Sequence, residues 1–100
     1  MSQVIWTEPA LNDLDQIVEY IALDKISAAK SLARKVFSSV DHLEQLPNSG
    51  RRPAELKKSR YRELIDGPCR VFYRLEEEKA YIIYIMRSEN ILRKYILESS

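Results

Sequence analysis

The chain has 100 residues, of which 45% are apolar and 31% charged, and its net charge is +1. This length fits one domain, and the composition is that of an ordinary globular protein, which excludes a disordered, collagen-like or membrane-embedded chain. The single cysteine and single histidine exclude a disulfide scaffold and most zinc sites, and the longest apolar run, residues 80–86, is too short to span a membrane. With no signal segment at its start, we expect a cytoplasmic protein with no metal, cofactor or membrane partner.

The first predicted element is an amphipathic helix over residues 9–23. Apolar residues recur there at helical spacing, with acidic and amide side chains between them. Thr7 can cap the first turn, Glu8 suits the positive end of the helix dipole, and Pro9 is tolerated where the amides lack intrahelical acceptors. These signals place the start of the helix near residue 8.

A second helix is predicted from about residue 27 to residue 46, with Ser27 as its cap. Because only residues 24–26 separate the two helices, they form an antiparallel hairpin over about residues 8–46. Prolines and a glycine then end the helical periodicity, so residues 47–60 are predicted to be mostly loop.

Beyond the loop the apolar period falls to two, which predicts a sheet over about residues 61–86 with strands at 61–65, 69–75 and 80–86. The links are too short for helical crossovers, so these strands pair antiparallel. The fold class is therefore α+β: one domain in which a helix hairpin packs on a small antiparallel β-sheet of three or more strands. Residues 87–100 are a tail that forms a short helix or becomes ordered only against a partner.

Positive charge is concentrated in the centre of the chain. Residues 51–74 hold eight basic and three acidic residues, a net charge of +5, whereas both ends are mildly acidic. Such a stretch attracts phosphate backbones or an acidic protein partner, and the alternative is a solvated loop. In the strand 69–75, Arg70 and Arg74 alternate with apolar residues. Because burying an unpaired guanidinium is costly, they face outward or pair with acids.

The order of these features, together with local strings, resembles the ParE/RelE superfamily of small bacterial toxins from type II toxin–antitoxin modules. The resemblance covers nearly the whole chain and rests on WTEPALNDL at 6–14, IVEYI at 17–21, the break at 47–50 followed by Arg51 and Arg52, YREL at 61–64 and RVFYR at 70–74. It implies a RelE/ParE-like fold and a cognate antitoxin that forms a hetero-oligomer with the toxin. The antitoxin is expected to wrap the basic sheet face and the hairpin groove.

The superfamily contains two activities: RelE-like members cleave mRNA on the ribosome, and ParE-like members inhibit DNA gyrase. For a nuclease, the resemblance implies catalysis by Arg62, Arg70, Arg87 and Tyr95. Against this, Leu64 stands where RelE members carry a second basic residue, and residues 86–90 lack the histidine or paired basic residues of nuclease members. His42, on the predicted second helix, is more simply a surface residue than a proton shuttle.

Gyrase inhibition by binding is therefore the favoured function, with no catalytic residue. Ribosome-dependent mRNA cleavage is the alternative, and a degenerate toxin that modulates antitoxin binding to operator DNA is a second alternative.

The residues expected to bind the target or the antitoxin are Arg51, Arg52, Arg62, Arg70, Tyr73, Arg74 and Arg87. For Arg74 an ion pair with the nearby glutamates is the preferred interpretation, and Tyr73 is more simply a core residue with its hydroxyl at the rim. For Arg62 and Arg70 we prefer function, with both guanidinium groups displayed on the sheet face opposite the helices. An exposed Arg70 further predicts that Arg70→Ala leaves folding nearly intact.

Overall fold

The computed structural model describes residues 2–56 and 58–88. The elements in chain order are β1 (Gln3–Trp6), α1 (Glu8–Asp24), α2 (Ile26–Asp41), β2 (Tyr61–Asp66), β3 (Cys69–Glu76) and β4 (Lys79–Arg87), with 3₁₀ turns at His42–Glu44 and Ala54–Leu56. The two helices pack on one face of the sheet, which confirms the predicted α+β class. The predicted tail helix lies outside the described residues. Within those residues, no helix combines the length and apolar character needed to cross a lipid bilayer.

The strand at the start of the chain, β1, was not predicted. It pairs in parallel with β4, and the strand order is β1-β4-β3-β2, so the sheet is mixed rather than purely antiparallel. Four residues are too few to show a period of two, and the pairing partner of β1 lies at the far end of the described chain. The side chains of Val4 and Trp6 pack against the core between the helices and the sheet.

The helix hairpin differs from its prediction at the turn. Thr7 caps α1 as predicted: its hydroxyl accepts a hydrogen bond from the Ala10 amide at 3.4 Å and donates one to the Ile82 carbonyl at 2.6 Å. Lys25, with φ −149° and ψ 109°, is the single residue between the helices and occupies the cap position expected of Ser27. An extended residue at this point ends one helix and starts the next, so no longer link is needed. The second helix also ends earlier than predicted, at Asp41.

The sheet separates two apolar clusters. On the side that faces the helices, which we call the helix face, Val71 and Ile82 pack against α1 and α2. On the opposite side, which we call the far face, the buried cluster consists of Leu56, Tyr61, Phe72, Ile83 and Met86. An irregularity in the β3–β4 register between Phe72 and Tyr73 accommodates the extra residue of β4. Each fully buried Val, Leu, Ile, Phe or Met side chain in these clusters contributes roughly 1.5–3 kcal/mol to stability.

Candidate functional site

Arg70 lies on the far face between two carboxylates. Its Nε donates a hydrogen bond to Oε2 of Glu63 at 2.9 Å, and Nη1 and Nη2 donate to the two carboxylate oxygens of Glu55 at 3.0 and 2.9 Å. The register explains the first contact, because Ile65 pairs with Arg70 and Glu63 is two residues away on the same face of β2. The second comes from the 3₁₀ turn Ala54–Leu56, which carries Glu55.

These contacts leave the side chain of Arg70 only 9% exposed. The sequence interpretation that strand arginines pair with acids is therefore confirmed for Arg70, whereas the expectation of an exposed Arg70 guanidinium is wrong. Arg70→Ala is therefore expected to destabilise the fold rather than to leave it nearly intact. The substitution removes the bound cation from two carboxylates, one of which is fully buried.

Hydrogen bonding to Glu55 raises the pKa of Arg70, and Glu63 acts in the same direction against the opposing effect of desolvation. The guanidinium also lies over the ring of Phe72, with 5.0 Å between Cζ and the ring centroid. Arg70 is thus a fixed cation whose charge is neutralised within the protein.

Glu63 joins this pair to the loop. Its side chain is 0% exposed, and Oε1 accepts a hydrogen bond from Nε of Arg51 at 2.9 Å, while Arg51 itself is 69% exposed. The backbones of the two residues also form an isolated antiparallel bridge, with N–O distances of 3.0 and 2.7 Å. Arg51, Glu63, Arg70 and Glu55 therefore form a chain of alternating charges from the surface into the far face, with no net charge.

Arg62 lies on the helix face, opposite Tyr73 of β3. Its Nη1 donates to the Gly50 carbonyl at 2.8 Å and to the Asn48 carbonyl at 3.4 Å. Arg62 and Arg70 are therefore on opposite faces of the sheet, and the expectation that both are displayed on one surface is wrong. Arg62 instead holds the loop that follows the helix hairpin.

Tyr73 holds the same loop from inside the core. Its hydroxyl donates to the Pro47 carbonyl at 2.8 Å and accepts from the Gly50 amide at 2.9 Å. A Cβ on Gly50 would lie 2.5 Å from that hydroxyl, so glycine is required by the close approach. Burial raises the pKa of Tyr73. Tyr73 is therefore a core residue, as the sequence favoured, because none of its surface is exposed.

The remaining two strand arginines also have partners. Nε of Arg74 lies 3.2 Å from Oε1 of Glu76, which confirms the ion pair predicted for it. Arg87, at the end of β4, lies over the ring of Tyr20, with 5.0 Å between Cζ and the ring centroid. Both side chains are half-buried.

Four exposed cations cluster in and beside the loop before β2. Arg51, Arg52, Lys58 and Arg60 are exposed, and we call them the cationic rim. Arg52 is oriented by a hydrogen bond from Nη1 to the Ser59 carbonyl, and Arg60 forms a 3.0 Å ion pair with Glu76. The predicted concentration of positive charge is thus exposed at the edge of the sheet rather than on its far face.

The residues weighed for catalysis are dispersed in the described part of the chain. His42 is exposed at the end of α2, and Leu64 packs against the core on the helix face. Tyr95 lies outside the described residues. Residues 2–56 and 58–88 contain no group of three histidine, cysteine, aspartate or glutamate side chains that could hold a metal ion.

Glu55 was missed as a partner of the strand arginines. It is one of three acidic residues in the basic stretch 51–74, and it lies fifteen residues before Arg70. An acidic residue within this basic stretch indicates an ion pair. The sequence does not indicate which cation Glu55 pairs with, because that depends on how the loop folds over the sheet.

Residues 4–92 match the ParE toxin of the type II toxin–antitoxin system parDE. The chain belongs to the ParE toxin family. This ParE-family toxin is 36% identical over 76 residues to the toxin-named protein Y4kP of Sinorhizobium fredii, a match that covers 76% of this chain and 78% of that protein. It is 32% identical over 92 residues to Toxin RelE2 of Caulobacter vibrioides, a match that covers 91% of this chain and all of that protein.

A structure of the chromosomal ParDE toxin–antitoxin system from P. aeruginosa is also similar to the ParE-family chain. The TM-score is 0.74 at 26% sequence identity, and the match covers 89% of this chain and 98% of that chain. These similarities confirm the predicted RelE/ParE-like fold and the toxin family. The names of these similar proteins include both branches of the superfamily, since one relative is named RelE2 and the similar structure is of a ParDE system.

Proposed function

We propose that this toxin inhibits DNA gyrase by binding to it, and that it does not cleave mRNA. The observation that carries the proposal is the ion pairing of Arg70 with Glu55 and Glu63. A nuclease of this superfamily needs the strand arginine to stabilise the charge that develops on a phosphate. Here the guanidinium group already donates hydrogen bonds to two carboxylates, and the negative charges of these carboxylates would repel an approaching phosphate.

The position of Arg62 supports the same conclusion. A phosphate in the transition state must be contacted by several groups at once, within hydrogen-bond distance. Arg62 and Arg70 lie on opposite faces of the sheet and cannot reach one phosphate. Arg62 also has loop carbonyls as acceptors, so its role is to position residues 47–51.

The proposed binding surface is the cationic rim. Its four side chains are exposed, and an acidic partner would be attracted to them over several ångströms. The antitoxin of this type II system is proposed to neutralise the toxin by covering part of this rim with an acidic segment. Binding to the antitoxin and to gyrase would then be mutually exclusive, and both would weaken as salt is added.

A supercoiling assay with purified gyrase tests the proposal. The wild-type chain is expected to abolish supercoiling, and Arg52→Glu to weaken this inhibition about tenfold, because a rim cation becomes an anion. Lys35→Glu, an equal change of charge on an exposed position of α2, is the matched control and should inhibit like the wild type. Full supercoiling in the presence of the wild-type chain would overturn the proposal.

Ribosome-dependent mRNA cleavage is the second candidate, because Toxin RelE2 is similar to the chain over its whole length. Translating ribosomes with a defined transcript provide the test. Cleavage at the ribosomal A site that is lost in Arg70→Lys would establish the nuclease and displace gyrase inhibition. If the chain neither arrests growth nor inhibits supercoiling, it would instead be the degenerate toxin, a non-catalytic interaction module.

A further inference from the structure

Arg51 is the cation of the rim that is tied to a buried carboxylate. Its Nε donates a hydrogen bond to Oε1 of Glu63 at 2.9 Å, and the backbones of the two residues pair as well. The side chain of Arg51 is nevertheless 69% exposed, whereas that of Glu63 is completely buried. Within residues 2–56 and 58–88, the two Nη groups of Arg51 have no acceptor. Arg51 therefore combines a fixed Nε with a pair of Nη groups that can donate to an anion outside the chain.

Arg70 contacts the other oxygen of the Glu63 carboxylate. Oε2 of Glu63 accepts a hydrogen bond from Nε of Arg70 and also lies 2.9 Å from Nη2 of that residue. Each oxygen of Glu63 thus contacts a different guanidinium group. Because one negative charge is shared between two cations, Arg51 keeps part of its positive charge for an outside anion. Without Arg70, the same buried carboxylate would face Arg51 alone and would neutralise it.

Arg70 also fixes the loop that carries two further cations of the rim. Its Nη1 and Nη2 donate to both oxygens of Glu55 at 3.0 and 2.9 Å, which is the two-pronged pairing of a guanidinium group with a carboxylate. Glu55 belongs to the 3₁₀ turn of this loop and lies between Arg52 and Lys58 in the chain. Arg70 therefore holds the loop at this turn as well as at the carboxylate that fixes Arg51.

We propose that Arg51 binds a carboxylate of the protein partner through its Nη groups, and that Arg70 is a positioning residue for this contact. The inference rests on the proposed function, since it names the residue by which the cationic rim binds gyrase. An arginine whose Nε is already fixed loses less conformational freedom when its Nη groups bind, so the contact is stronger than that of a mobile cation. The side chain of Arg70 is only 9% exposed and acts through Glu55 and Glu63.

Charge and position predict opposite effects of Glu55→Gln. The substitution removes one negative charge beside the rim and raises the net charge of the chain, +1, by one unit. If the rim attracted its partner by charge alone, the variant would bind more tightly. If the loop must be held in place, the variant binds less tightly, because the neutral amide no longer forms an ion pair with Arg70. The direction of the change therefore separates the two explanations.

The supercoiling assay with purified gyrase measures this direction. Glu55→Gln and Arg51→Ala are each expected to require about tenfold more toxin for half-inhibition, which corresponds to the loss of one charge-assisted contact. Because Glu55 acts through Arg51, adding Glu55→Gln to Arg51→Ala should cause much less than the tenfold loss that it causes alone. Glu19→Gln, an equal change of charge at an exposed position of α1, is the matched control and should inhibit like the wild type.

Arg51→Lys tests the same contact while keeping a positive charge beside the buried Glu63, so that the fold is retained. A lysine cannot pair with Glu63 through one nitrogen and present two further donor nitrogens to the partner. We therefore expect a loss of inhibition close to that of Arg51→Ala. An Arg51→Lys variant that inhibits like the wild type would overturn the proposal.

Limited digestion with trypsin shows whether Arg70 holds the loop, without any use of gyrase. Trypsin cleaves after lysine and arginine, so that cleavage at Lys58 reports on the loop and cleavage at Lys30 reports on α2. In Arg70→Lys and Glu55→Gln, cleavage at Lys58 should become faster than in the wild type while Lys30 stays protected. Equal acceleration at both positions would indicate a general loss of stability and would count against the positioning role.

The supercoiling and digestion results together distinguish the possible failures. A wild type that leaves supercoiling intact would overturn the proposed function and, with it, the role of Arg51. A wild type that inhibits gyrase, beside a Glu55→Gln variant that inhibits equally well or better, would overturn only the positioning role of Arg70. Unchanged cleavage at Lys58 in Glu55→Gln would do the same.

Discussion

The carboxylate of Asp13 accepts a hydrogen bond from the backbone amide of Ile85 over 3.1 Å. The strand β1 pairs with β4 only as far as Ile82, so this amide belongs to the part of β4 that extends beyond its parallel neighbour. A side chain of α1 therefore satisfies a backbone donor that no strand among the described residues reaches from that side. Burial raises the pKa of Asp13, and the hydrogen bond from Ile85 lowers it in part.

The substitution Asp13→Asn tests this contact. An acid whose pKa is raised by folding binds its proton more tightly in the folded state, so the ionised form costs stability above the folded pKa. That cost is relieved as the pH falls through the folded pKa towards 3.8, the ordinary pKa of an aspartate. Asparagine keeps a hydrogen-bond acceptor without the charge. The free energy of unfolding of Asp13→Asn should therefore exceed that of the wild type most at neutral pH, and the difference should shrink on acidification. Urea unfolding of both proteins at several pH values measures it, and a difference that grows towards acid would contradict the prediction.

Loss of the buried carboxylate at Glu63 should be more damaging than loss of an exposed one. Glu63→Gln removes the charge that two guanidinium groups contact, and we expect it to lower the free energy of unfolding by about 2–3 kcal/mol. The control is Glu76→Gln, which breaks ion pairs at a half-exposed position and should cost less than about 1 kcal/mol. Denaturant titrations compare the two. Equal effects would mean that burial adds nothing to the Glu63 contacts.

The fold was predictable where the chain specifies it locally, as at the Thr7 cap and in the alternating pattern of β3. The strand β1 was not, because its partner β4 lies far away in the sequence. The one-residue turn at Lys25 was not, because Lys25 caps α2 without a side-chain hydrogen bond and so carries no recognisable cap signal. The face on which Arg62 lies was also unpredictable. In β2 each set of alternating positions mixes apolar and charged residues, so the sequence of β2 alone does not determine which set faces the helices; the pairing of Ile65 with Arg70 does.

The hydroxyl of Tyr73 should contribute measurably to stability. Tyr73→Phe keeps the ring but removes the donor to Pro47 and the acceptor of the Gly50 amide, which leaves two backbone groups unsatisfied. The expected loss is about 1–3 kcal/mol. Tyr20→Phe, at an exposed tyrosine of α1, should change stability by less than about 0.5 kcal/mol. Thermal unfolding of the two variants distinguishes them, and a fully stable Tyr73→Phe would show that the loop does not depend on this anchor.

The thiol of Cys69 should be inert in the folded protein. Burial, together with the charge of Asp66, raises the pKa of Cys69 to about 11, and the side chain is completely buried. At pH 8 only about one thiol in a thousand is then ionised, and the thiolate is the reactive form. Labelling with a thiol reagent should be slow in buffer and fast in denaturant. Rapid labelling of the native chain would contradict the buried position.

The pairing of β1 with β4 also affects when the protein becomes functional during its synthesis. Residues 3–6 leave the ribosome long before their partners, residues 79–82. The sheet therefore cannot be completed on a partly translated chain, and incomplete translation products lack the finished fold. During synthesis of this toxin, about 76 residues must follow Gln3 before Lys79, its partner in the sheet, has been made.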